Sequence, residues 1–231
     1  MPTRSEHTTS SLYRYAKSNL ARLTIAQALA GANSVVVYAT ASIVGNSLAP
    51  SRALSTLPIS IFVVGMAACT LPAGMIAQRH GRRPVFMIGT GCGVLVGLLS
   101  AWAVLHGLFW LFCAAMLFGG AYAAVVFSFR FAAADCVEPE RRPRALSFVM
   151  AGGVLAGVIG PQLVTYTMNL WLPYTFAATF LAQATVAAVS AIILLGVRLP
   201  MPTMEEVAGG RPLGDIVRHP KFMTAVTCGV V

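Results

Sequence analysis

The stretch Gly74-Met-Ile-Ala-Gln-Arg-His-Gly-Arg-Arg-Pro84 stands between two long apolar runs. Gly81 allows a tight turn, because it lacks the Cβ that closes most backbone conformations to other residues. Arg79, Arg82 and Arg83 put cations at the end of one run and the start of the next. Guanidinium groups there anchor helix ends at lipid headgroups and form charge-assisted hydrogen bonds to neighbouring helices. Pro84 suits the first turn of a helix, where its missing N–H costs nothing. The stretch therefore reads as a short basic loop between two membrane-crossing helices.

Composition supports that solvent. Of 231 residues, 57% are hydrophobic and only 10% are charged, whereas a water-facing domain carries about 25% charged residues. Such a chain needs a lipid bilayer around it. The net charge of +9 would suit nucleic acid, but the 16 Lys and Arg sit in short polar gaps between apolar runs. That placement orients a membrane protein, and no nucleic-acid partner is expected. The five cysteines are scattered through apolar runs without a CxxC pair. They read as small apolar fillers, so no metal site and no cofactor is expected.

Working outward, six apolar runs cover residues 23–49, 54–76, 84–105, 108–134, 145–168 and 173–197. A helix of about 20–25 residues spans about 30–38 Å, enough for the hydrocarbon core with some tilt. The runs are strung with Ala and Gly and lack two-residue alternation, which favours helices over barrel strands. The first run is far longer than the core of about 7–15 residues in a cleaved signal, so it reads as a retained helix.

Lys and Arg concentrate in residues 1–22, in the 78–83 and 135–144 loops, and after residue 197; the alternate connections hold only Arg52. The positive-inside rule then makes the four basic regions, including the N-terminus, cytoplasmic. The expected organisation is a cytoplasmic segment at 1–22, a six-helix transmembrane bundle at 23–197 and a cytoplasmic linker at 198–221. Residues 222–231 form an apolar run too short to span, read as the start of a seventh helix at which the chain is truncated.

Placed after the second of six runs, the 74–84 stretch resembles the signature loop of the major facilitator superfamily. That pattern is Gly, a small or apolar stretch, Asp, Arg, any residue, Gly, Arg, then Arg or Lys. Gly74, Arg79, Gly81, Arg82 and Arg83 match it, while Gln78 stands where the family has Asp. In the family that Asp joins an ionic cluster steadying the inward-closed gate; Gln78 brings hydrogen bonding without charge. Arg130-Phe-Ala-Ala-Ala-Asp135, followed by Glu138-Pro-Glu-Arg-Arg-Pro-Arg144, resembles the family's loop from the fourth to the fifth helix. The resemblance implies that Asp135 pairs with Arg82 and that Arg144 reinforces the cluster.

The fifth run holds Gly152-Gly153-Val-Leu-Ala-Gly157-Val-Ile-Gly160-Pro161. Small residues let helices approach closely, and Pro161 removes a backbone hydrogen bond. Its Gly160-Pro161 core resembles the fifth-helix motif of antiporter branches, though Ala156, Val164 and Thr165 depart from it. Gly157, Gly160 and Pro161 are the candidate hinge. Gly89, Gly93 and Gly97 define a packing face on the third run, and Ala115 stands near the place of the fourth-helix Arg of many proton-coupled members.

Ionisable groups at membrane depth are functional candidates because hydrocarbon makes them costly. Here Arg130 lies near the cytoplasmic end, where it can snorkel. The polar candidates for a substrate cavity are Gln27, Asn33, Ser34, Tyr38, Asn46, Tyr122, Gln162 and Gln183, with Asn33, Tyr38, Tyr122 and Gln162 foremost. Hydrogen bonding between helices is the alternative role for each.

The resemblance implies an all-α membrane protein forming one half of a major-facilitator-type fold. It further implies alternating-access transport of a small-molecule substrate across an inner membrane, against a missing C-terminal six-helix half. It leans towards antiport or efflux with protons as the coupling partner, with a facilitator or symporter of the same superfamily as the alternative. A rival intramembrane enzyme needs a nucleophile and base at membrane depth, and no mid-span His, Asp or Glu supplies the base. A six-helix structural or assembly protein is the other rival, against which the 222–231 run counts.

Overall fold

The computed structural model describes residues 15–197 and contains six helices long and apolar enough to cross a membrane. Helix α1 (Ala16–Leu48) leads through a short 3-10 turn, Arg52–Leu54, to α2 (Leu57–His80). Gly81 alone separates α2 from α3 (Arg82–His106). Helices α4 (Phe109–Phe127) and α5 (Phe129–Asp135) make one span interrupted at Ser128. A second 3-10 turn, Pro139–Arg141, precedes α6 (Arg142–Thr167), and α7 (Ala177–Leu195) closes the bundle.

The six expected runs are the six spans, with shifted edges. Helix α1 begins at Ala16 and not at 23, because its polar first turns bury one face, including Asn19 and Leu23. Hydropathy alone reads those turns as tail. The expected linker at 198–221 and the 222–231 run lie outside the described residues.

Glycines set both the turns and the packing. At Gly81 φ is 81° and ψ 174°, a conformation essentially closed to other residues, and it caps α2 and α3 at once. Gly107, at φ 66°, ends α3 as a left-handed cap whose N–H donates to the Ala103 carbonyl. Between helices in lipid there is little hydrophobic drive, so association rests on close approach. A Cβ on Gly31 would fall 2.8 Å from the Ala156 Cβ, which shows how tightly α1 and α6 pack. On α3, the Gly93 face receives the Tyr122 ring, while Gly97 lies against Phe180 and Ala184 of α7.

Aromatic pairs fill the interior: Phe86–Phe129 and Phe112–Phe180 meet edge to face at 4.8 and 5.6 Å. Large apolar side chains such as Leu71, Val154 and Ile192 point outward instead. That arrangement is stable in a lipid environment and not in water.

Candidate functional site: a basic end and an arginine-walled cavity

At one end of the bundle, Arg82 Nε donates to Asp135 Oδ2 at 2.7 Å, tying the first residue of α3 to the last of α5. Both side chains stay partly exposed, 26% and 42%, so water screens the attraction. Arg22 donates to the Gly196 carbonyl, and Arg83 Nη2 donates to the Leu195 carbonyl at 3.4 Å. Two guanidinium groups thus sit on the carbonyl end of α7, the negative end of its dipole. Next to the pair, the Cys136 thiol is buried. Burial pushes its pKa up, to about 11; Asp135 adds to the rise, while a hydrogen bond with Asn19 and the Arg82 charge pull it back.

The other signature-loop residues do not join the pair. Gln78 and Arg79 are exposed at the end of α2, and Arg144 is exposed in the first turn of α6. Among the described residues the ion pairs are Arg82–Asp135 and Arg141–Glu138, so Arg144 reinforces neither. Gly74 has open space where a side chain would stand, so it serves no contact within the bundle.

A cavity of about 360 Å³ lies between α1, the α4–α5 span and α6. Its polar wall is Gln27 and Ser34 from α1 with Arg130 from α5; Phe127, Gly31 and Met150 supply apolar surface. The Arg130 guanidinium carbon lies 4.9 Å from the Phe131 ring centroid and 6.0 Å from that of Phe127. Its Nε is buried and has no hydrogen-bond partner. Among the described residues, no carboxylate lines the cavity.

The four foremost expected cavity residues are all placed elsewhere. Asn33 and Tyr122 are buried within the bundle, 1% exposed each, and are not in the cavity wall. Asn33 Nδ2 donates instead to the Gln183 carbonyl at 3.2 Å, joining α1 to α7. The reason is helical geometry: residues 27, 31 and 34 share one face of α1, and 33 points to another. Tyr38 continues that face and is half-exposed, but it packs edge-on to Phe62 at 5.3 Å. Gln162 is exposed on α6, also away from the cavity. Sequence reading underrated Arg130, whose signal was a charge inside an apolar run.

The three hinge candidates do not act as one cluster. Helix α6 runs unbroken through Pro161. A Cβ on Gly160 would fall 2.7 Å from the Val35 Cβ, so Gly160 seats α6 on α1. Gly157 meets nothing within 4 Å, and Pro161 is exposed.

This bundle has known counterparts. The model of the Major Facilitator Superfamily matches residues 23–231. The chain belongs to the Major Facilitator Superfamily. Among curated superfamily relatives, the riboflavin transporter RfnT of Brucella anthropi is 38% identical over 218 residues, covering 93% of this chain and 55% of that protein. The multidrug resistance protein MdtL of Vibrio parahaemolyticus is 28% identical over 166 residues, or 71% of this chain and 41% of its own length. The inward-open xylose transporter XylE from E. coli superposes with a TM-score of 0.70 at 16% identity, covering 92% of this chain and 55% of that one. That likeness shows the fold: one half of a superfamily transporter. The chain spans about half the length of the curated relatives it matches. This superfamily chain is a multi-pass membrane protein.

Proposed function

We propose that this bundle forms one wall of a transporter that moves a small planar solute of the riboflavin class by alternating access. The second wall is another six-helix bundle, and the cargo sits between the two, as in transporters built from repeats. The observation that carries the reading is the 38% identity to a riboflavin transporter across 93% of the chain. The cavity supports it, since about 360 Å³ with a mostly apolar lining and a few polar groups is the usual make of a small-molecule site. The basic end faces the cytoplasm of an inner membrane, with the N-terminus on that side; its cluster of Arg residues supports this through the positive-inside rule. There the Arg82–Asp135 pair steadies the state closed on that side.

Efflux in exchange for protons is the second reading, favoured by the similarity to MdtL. The carboxylates among the described residues, Asp135, Glu138 and Glu140, all lie at the basic end.

Riboflavin counterflow tests the reading. Proteoliposomes holding the complete natural polypeptide and preloaded with unlabelled riboflavin should accumulate labelled riboflavin saturably. Accumulation no greater than in empty liposomes would refute the riboflavin assignment.

A further inference from the structure

We propose that Arg130 is the cargo-anchoring cation of the cavity, and that it restricts the cargo to planar molecules that are neutral or anionic and carry acceptor oxygens. The inference deepens the transport reading above and rests on it.

A guanidinium inside an apolar span is expensive, and such groups usually pair with an acid or with backbone carbonyls. Arg22, Arg82 and Arg83 follow that rule. Arg130 does not: its Nε is buried without a partner, and its nearest neighbours of note are the Phe127 and Phe131 rings. Snorkelling to the headgroups would wet the whole head group, whereas here the Nε is buried, where Arg130 lines an open groove between α1, the α4–α5 span and α6.

The rest of the wall defines what completes the site. Among the described residues no carboxylate faces Arg130, so the cavity wall they form carries uncompensated positive charge and repels cations. The guanidinium offers several donors in one plane, which suits a ring carbonyl, carboxylate or phosphate oxygen. Gln27 and Ser34, seven residues apart on one face of α1, add neutral polar groups for other edges of the same molecule. Phe127 and the small residues Gly31 and Gly153 leave a flat apolar surface for a ring.

The test uses the complete polypeptide in lipid nanodiscs, with riboflavin as one probe and the planar tricyclic cation proflavine as the other. Arg130→Gln should weaken riboflavin binding about tenfold or more, the usual loss for a charge-assisted hydrogen bond, and Arg130→Lys should weaken it less. Unchanged riboflavin affinity in Arg130→Gln would overturn the proposal. Arg130→Glu should gain binding of proflavine that the parent lacks, a gain that misfolding cannot mimic. If the parent binds the cation as tightly as Arg130→Glu does, or if neither binds it, Arg130 does not set the charge of the site and the proposal falls. A parent that binds no riboflavin, together with an Arg130→Glu protein that gains the cation, upholds the role of Arg130 and refutes the riboflavin assignment alone.

Discussion

Arg82 on α3 and Asp135 on α5 meet at 2.7 Å, although 53 residues separate them in sequence. The contact bridges two spans at the basic end; on the proposed alternating-access reading, such a pair is remade in each cycle and biases one conformation over the other. It is partly exposed, so its worth is modest in the resting bundle, about 0.2–1 kcal/mol by analogy with other exposed pairs. Arg82→Asp and Asp135→Arg should each slow transport in the complete polypeptide, and the double exchange should recover part of the loss. Strictly additive defects would show that the two residues are not coupled.

Gly81 is the turn itself. Its φ of 81° with ψ of 174° belongs almost solely to glycine, and the residue is buried. Gly81→Ala should destabilise the protein by about 1–3 kcal/mol, read as a lower midpoint in thermal unfolding in detergent. Gly74→Ala, placed in open space, is the control and should leave the midpoint unchanged.

Helix α6 offers a sharper contrast. Gly160 is pressed against Val35 and Ala32, while Gly157 faces nothing within 4 Å. Gly160→Leu should lose about 1–3 kcal/mol or more through overpacking, and Gly157→Leu much less. Equal stability of the two variants would refute the packing role of Gly160. If Pro161→Ala also transports at the parental rate, no hinge operates at that position.

The Cys136 thiol reports on the ion pair beside it. Alkylation needs the thiolate, and burial together with Asp135 pushes the pKa from 9.0 to about 11. In a protein whose only cysteine is Cys136, the alkylation rate should keep rising through pH 9 and reach its midpoint near 11. Asp135→Asn should lower that midpoint, and Arg82→Ala should raise it, because the Arg82 charge favours the thiolate. A midpoint near 9 in the parent would contradict the buried placement.

Much of this was legible in the sequence, for physical reasons that differ from residue to residue. Spans are legible because bilayer thickness fixes their length and because backbone groups in lipid must bond within the helix. Gly81 was legible because a basic loop with a single glycine leaves few ways to turn. The facing of side chains was not. Asn33 and Ser34 are neighbours, yet one bonds across to α7 and the other lines the cavity, and only helix packing decides between them. The interruption at Ser128, just before Arg130, is likewise a tertiary feature, with the Ser128 hydroxyl donating to the Val125 carbonyl at 2.6 Å. The early start of α1 was hidden because Lys17, Asn19 and Arg22 look like tail until their packing is seen.

On the proposed alternating-access reading, the cavity beside Ser34 opens in turn to the two sides of the membrane, and its accessibility measures that directly. Ser34→Cys, placed in the complete polypeptide on a background stripped of native cysteines, is treated with an impermeant thiol reagent from each side in separate oriented vesicles. The account predicts labelling from both sides, each slowed by cargo, with Asp135→Asn shifting the balance towards the basic side. Labelling from one side only, unmoved by cargo and by Asp135→Asn, would contradict it.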